Sequence, residues 1–173
     1  MAKRQNIPES EYLKGLNEAV ENIQEAVDNL EHGLVVGLAN ALLYIATESQ
    51  QRAPIDTGDL RGSVEVKIDG EDYAYCKEYR ADKDKRTKDG RKKERKNYEL
   101  TVEGTLPDDS EVEEIGGVFG EVSYNTKYAA NQHEHTEYYH ENGQAKYLES
   151  VLVEEKDRIL KLIADGAINE MMD

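Results

Sequence analysis

Residues 49–70 read SQQRAPIDTGDLRGSVEVKIDG, and within them one periodicity gives way to another. Up to Gln51 the chain is apolar at helical spacing; at Pro54 it must stop, because proline has no amide hydrogen and pushes Ala53 out of the helical region. Asp56 and Thr57 can bond backbone amides through their side-chain oxygens, and Gly58 can take a positive φ, so IDTG is a tight turn. Leu60 is expected to dip back into the core with Arg61 at its rim. Beyond Ser63, Val64, Val66 and Ile68 alternate with Glu65 and Lys67, a half-buried strand that closes at Asp69-Gly70. Helix precedes this junction and sheet follows it.

Upstream, Leu13, Leu16, Val20, Ile23, Val27 and Leu30 recur at steps of three and four, a single apolar stripe on a helix with Ser10 as its expected N-cap. Leu34 to Gln51 is apolar on more faces and predicts the more buried helix. Gly33 and Gly37 permit either one bent helix or two. The run LVVGLANALLYIA, 34–46, is interrupted by Asn40 and by itself too short to span a bilayer.

Downstream, Tyr73, Tyr75 and Tyr79 alternate with Ala74 and Cys76, YELTVEG alternates over 98–104, and GVFGEVSY over 117–124 gives a last strand. Together these predict a meander of about four antiparallel strands. Lys127 to His135 reads as a short helix or turn, and the segment from Ala145 as an amphipathic helix with Leu148, Leu152, Ile159, Leu162 and Ile163 on one face. The expectation is one α+β domain over 1–173: helical at 10–52, sheet at 62–124, short helix and loop at 127–144, C-terminal helix at 145–168, with the helices on one sheet face.

The 173 residues carry a net charge of -15, which argues against partners chosen by global attraction to nucleic acid. The charge is unevenly placed. Residues 77–96, between two strands, hold eleven of the 22 basic residues, including Lys85, Arg86, Arg91, Lys92, Lys93 and Arg95, against five acids; the insertion carries +6 and the remainder -21. With Asp89-Gly90 near its middle, it reads as a long polar hairpin or mobile loop. Tyr79 and Tyr98 at its edges are the aromatics available for base stacking. Cys76 is the only cysteine, so no intrachain disulfide forms and a reducing compartment or a disulfide-free particle fits. The N-terminal residues lack a secretory apolar stretch, and an intracellular product is expected.

QHEHTEYYH brings His133, His135 and His140 together with Glu134 and Glu137. On a helix His133 and His135 point about 200° apart, unlike the i, i+4 pair of helical zinc proteases. No metal, cofactor or catalytic residue is therefore assigned. Ser63 lies outside a nucleophile elbow, and Cys76 has no histidine near it in sequence.

Two segments together carry a resemblance. APIDTGDLRGS after a helix resembles the signature of the tail-completion and neck proteins of long-tailed bacteriophages, the family typified by gene product 10 of phage HK97. KYAANQHEHTEYYHENGQAKYLES resembles the C-terminal signature of minor capsid proteins in phages and prophages of Gram-positive bacteria. Pro54, Asp56, Thr57, Gly58, Leu60, Arg61 and Ser63 carry the first; Tyr128, His133, Glu134, His140, Gly143, Gln144, Lys146, Tyr147 and Leu148 carry the second. The resemblance implies an α+β subunit of a homo-oligomeric ring, expected to be a hexamer, in the virion at the head-tail junction. It would be assembled in the bacterial cytoplasm. Its implied partners are head-side connector or head-closure proteins and tail tube or tail terminator proteins, with DNA passing through the channel without sequence-specific contact and no membrane involved. It implies no catalytic residues. Candidate interface residues are the basic ones named above with Tyr128, His133, Glu134, His140, Gln144, Lys146 and Tyr147. Two other classes fit parts of the sequence: a nucleic-acid-binding module using the 77–96 arm, and a metal-dependent hydrolase using the three histidines.

Overall fold

A computed structural model describes residues 9–86, 92–107 and 118–172, with side chains described for 14, 16–78, 96–107 and 118–170. One continuous helix, α1 (Glu9–Arg52), opens the chain. At about 1.5 Å per residue its 44 residues extend for roughly 66 Å. Ser10 therefore lies inside the helix rather than at its cap, among the acids Glu9 and Glu11 that suit a first turn. Gly33 and Gly37 neither break nor end it. Each costs about 1 kcal/mol of helix propensity, offset by a close crossing with the last helix, α4 (Lys156–Met172). A Cβ at Gly37 would lie 2.4 Å from the Ile163 carbonyl oxygen, and one at Gly166 would lie 2.5 Å from the Gly37 Cα.

After α1 and a 3-10 turn at Arg61–Ser63 come β1 (Val64–Ile68), β2 (Glu71–Arg86), β3 (Lys92–Val102) and β4 (Gly120–Tyr124). The sheet is antiparallel with order β3-β2-β1-β4, which corrects the expected meander: β4 returns to the far side of β1 instead of lying beside β3. Val64, Val66 and Ile68 of β1 are all buried, and a strand buried so fully belongs in the sheet centre, with its backbone groups paired on both sides. Val66 stands opposite Ala74 of β2 and Val122 of β4. Bulges at Val66/Lys67 and between Glu78 and Arg80 interrupt the ladders, so the tyrosine alternation does not run unbroken to Tyr79. β4 starts at Gly120, while residues 108–117 lie outside the description.

The basic insertion is a hairpin. From Lys77 to Arg86, β2 pairs with β3 alone, and a ten-residue ribbon of this kind is about 33 Å long.

One sheet face packs on α1, where Ala39, Leu42 and Ala46 meet Val64, Val66, Ile68 and Ala74. Gly120 lets the helix come close, since a Cβ there would fall 2.3 Å from Leu42 Cδ1. Over Leu16–Arg52, α1 has the length and apolarity of a membrane span, more than the run 34–46 alone suggested. Val35, Ala39, Ala41, Leu42, Ile45 and Ala46 of that stretch are buried in the fold.

The C-terminal region holds α2 (Ala129–Glu134), α3 (Tyr147–Glu154) and α4. The single helix expected over 145–168 is thus two, broken at Glu155. Glu155 leaves helical geometry at φ -104°, ψ 16°, and its carboxylate accepts hydrogen bonds from Tyr44 at 3.1 Å and Arg52 at 3.4 Å. The break lets α4 run along α1, with the Arg158 guanidinium 4.4 Å from the Tyr44 ring centre. Leu152, expected on the apolar face, is exposed.

Candidate functional site

The C-terminal end of α1 is where the distant parts of the chain converge. A helix ends with carbonyls that lack intrahelical partners, and here other segments supply them. Arg61 donates from Nε to the Ala53 carbonyl at 2.9 Å and from Nη2 to that of Gln51 at 2.7 Å; its positive charge also suits the negative end of the helix dipole. The Gln144 amide donates to the Arg52 carbonyl at 2.9 Å, and the Ile55 amide to Asn142 at 3.3 Å. The turn after α1 and the segment before α3 are thereby joined. Gly143, at φ 91°, sits where a Cβ would be 2.6 Å from the Ala53 carbonyl oxygen.

Gly58 makes a second close approach. Its φ is 98°, and a Cβ would lie 2.3 Å from the Lys96 carbonyl oxygen. The Lys96 amide donates to the Thr57 carbonyl at 2.8 Å, so the base of the basic hairpin is fixed to the turn. Asp59 accepts from the Thr57 hydroxyl at 2.7 Å and from Tyr98 at 3.3 Å, and pairs with Lys96 Nζ at 3.3 Å. The Thr57 bond, reinforced by Lys96, holds its carboxyl below the usual range. Leu60 is buried, as the amphipathic reading of the turn requires.

Under this junction Leu60, Ala53, Ala129 and Tyr147 form a small apolar cluster. Tyr147 is 1% exposed. Its hydroxyl donates to the Ala129 carbonyl at 3.1 Å, and its ring makes edge contacts with Tyr124 and His133 at 4.9 and 4.8 Å. Burial pushes its phenol up to about 12. Lys146 adopts φ 54°, donates its amide to the His133 carbonyl at 2.8 Å and pairs with Glu134 and with Glu149, the latter at 2.9 Å. Lys146, and then His133, hold the Glu134 carboxyl below its usual range. Gln144 donates to Ser150 Oγ at 2.9 Å.

Between the two joined segments lies an open groove of about 620 Å³, with Asp56, Asp59, Glu141, Tyr128, Tyr139 and His140 in its wall. Among the described residues, three acids and no lysine or arginine line it. Tyr139 is 90% exposed, and His140 Nε2 is buried without a hydrogen-bond partner among the described residues. Such a surface suits a cationic, donor-rich partner.

The three histidines of QHEHTEYYH do not converge. His133 donates from Nδ1 to Glu134 at 2.7 Å and accepts the Glu149 amide on Nε2 at 3.4 Å. His135 pairs with Glu137 at 2.6 Å and stacks on Tyr138; His140 belongs to the groove. Among the described residues, no three His, Cys, Asp or Glu side chains are grouped to hold a metal. Ser63 Oγ donates to the Leu60 carbonyl at 2.8 Å. Cys76 contacts Gln50 Nε2 at 3.0 Å, and burial pushes its thiol up to about 11, so little thiolate exists at neutral pH.

Pro54, Asp56, Thr57, Gly58, Leu60, His140 and Tyr128 thus share one groove, with Tyr147, Lys146, Gln144, His133 and Glu134 behind it. The backbones of Lys85, Arg86, Lys92, Lys93 and Arg95 lie in the hairpin strands, whereas their side chains, and Arg91 altogether, are outside the described residues. Sequence reasoning missed the groove acids Asp59 and Glu141 and the helix-capping role of Arg61. Their placement inside the two motif segments was the available signal. Comparison with protein-family models, with curated proteins and with solved structures found no match.

Proposed function

We propose that this chain is a structural subunit of a tailed-bacteriophage neck: a ring-forming tail-completion or minor capsid component at the head-tail junction, surrounding the DNA channel. The observation that carries the proposal is the union of the two motif segments. About 70 residues apart in sequence, they are joined at the end of α1 by the Gln144–Arg52 and Ile55–Asn142 backbone bonds and form one groove.

A cyclic ring needs two different, complementary surfaces on every copy. The acidic groove is one, and the hairpin with its +6 balance is the other. Lys96 fixes the hairpin base beside the groove of its own chain, and the ribbon beyond is long enough to reach the next copy. Docked there, its cations would meet the exposed Glu141, and a donor would satisfy His140 Nε2. A hexamer between head-side connector proteins and the tail tube or its terminator is the assembly this reading implies. The acidic remainder of the chain would let a duplex slide through without sticking.

The test is mass in solution combined with imaging of phage necks. Wild type should form closed rings that weaken as salt rises. Replacing Ala81 to Arg95 by an Asp-Gly turn, or reversing the groove charge with Glu141→Lys, should abolish rings and preserve cooperative unfolding. Normal rings from both variants would overturn the hairpin-in-groove contact, and absence of the protein from necks would overturn the location. Tight, steeply salt-dependent duplex binding, lost on shortening the hairpin, would assign the basic ribbon to nucleic acid instead.

A further inference from the structure

From Lys14 to Leu30, every side chain of α1 that is described is exposed except the half-buried Asp28. This arm nevertheless carries an apolar stripe: Leu16 is 49% exposed, Ile23 65% and Leu30 36%, with Val20 and Val27 between them. Helices in proteins owe most of their stability to packing of an amphipathic face rather than to propensity. The stripe keeps alternating steps of three and four from Leu13 to Leu34 without a slip. That is three heptads, with Leu13, Val20, Val27 and Leu34 at one core position and Leu16, Ile23 and Leu30 at the other, enough for a coiled-coil seam.

The residues flanking the stripe identify what covers it. Asn17, Gln24, Ala19 and Ala26 occupy the positions beside the seam, and Glu31 is the one charge there. Glu18, Glu21, Glu25 and Asp28 fall on the far side, where Lys14 pairs with Glu18 at 3.8 Å and Gln24 bonds Asp28 at 2.9 Å. A helix this acidic would repel its own copy if its charges flanked the seam, and charged flanks are also what would select a partner of opposite sign. Neutral flanks remove both effects. The outer face holds acids and a single lysine, opposite to the basic polar face of helices that lie on membranes.

We infer that the arm is a self-association surface, its stripe paired with the same stripe of a second copy of this chain. This contact is separate from the hairpin-and-groove contact proposed above, and each can fail without the other.

The test uses the full chain in a Cys76→Ser background. In a parallel, in-register pair Ile23 meets its own counterpart, and in an antiparallel pair it packs against Val20 of the second copy, within one turn of the second Ile23. Under mild oxidation Ile23→Cys should form a disulfide-linked dimer at least about tenfold faster than Glu25→Cys, whose residue faces outward. In sedimentation, Ile23→Glu/Val27→Glu should weaken self-association at least about 100-fold while leaving the unfolding midpoint of the monomer unchanged. Equal cross-linking at the two positions, association of the double variant as tight as wild type, or a wild type that stays monomeric at high concentration would each overturn the inference. A hairpin-shortened chain that still cross-links through Ile23→Cys but forms no ring supports the arm contact and removes the hairpin-dependent ring. Rings that close normally with the double variant, together with cross-linking no faster than at Glu25→Cys, would do the reverse.

Discussion

The two halves of α1 share a helix and an apolar periodicity but not a fate. In the C-terminal half Val35, Ala39, Leu42 and Ala46 are all buried, whereas in the N-terminal half Leu16, Val20, Ile23 and Val27 are exposed. The buried half is apolar on several faces and carries Gly33, Gly37, Ala39, Ala41 and Ala46, small residues that let a sheet and a second helix approach together. The arm offers one stripe between polar faces. Periodicity thus says which face of a helix seeks burial; small residues on additional faces are what let the same chain supply it.

The largest expected effect comes from making one substitution in both halves. Gly37→Ala places a methyl 2.4 Å from the Ile163 carbonyl and should cost about 3 kcal/mol in urea unfolding, because the clash is with backbone. Gly15→Ala, in the arm, should instead raise helix content and gain up to about 1 kcal/mol of local helix stability. Equal effects at the two sites would erase the contrast between the halves.

A second prediction tests whether the C-terminal half owes its end to the turn that follows it. Gly58→Val should destabilise by about 1–3 kcal/mol, since it combines a positive φ with the Lys96 carbonyl contact. Gly58→Ala should cost less and Ser63→Ala least, with all three ranked by denaturant midpoint. Arg61→Leu comes next: losing two bonds to the terminal carbonyls of α1 should cost about 1–2 kcal/mol. Arg61→Lys should restore only part of it, because an ammonium cannot reproduce the guanidinium fork.

The smallest effect is a pH dependence. Asp59 has its folded pKa lowered by Thr57, then Lys96, so its contribution is fully present above its unfolded value near 3.8 and is lost as pH falls through the folded one. Asp59→Asn should therefore be slightly less stable than wild type near neutrality and converge with it in acid, as followed by melting midpoints from about pH 6 to pH 2. Parallel curves over that range would mean that the Asp59 contacts contribute no folding energy.

Much of the local structure was legible in the sequence. The stop at Pro54, the positive φ of Gly58, the inward Leu60 and the alternation of Val64, Val66 and Ile68 each follow from sterics or periodicity within a few residues. The groove was legible only as two separate motifs. Asp59 and Glu141 are ordinary surface acids until the Gln144 amide reaches the Arg52 carbonyl and brings their segments together.

By itself, then, the sequence determined where helix yields to strand, which faces are apolar and where charge accumulates, because these depend on residue chemistry and on neighbours within one or two turns. Tertiary structure alone decided that β4 pairs with β1, that the last helix breaks at Glu155 and that the stripe of the arm is left open. Each of those outcomes rests on contacts between residues tens of positions apart: a central strand needing partners on both edges, a carboxylate held by Tyr44 and Arg52, and an α4 that packs against α1 around Gly33 and Gly37 and leaves the arm uncovered.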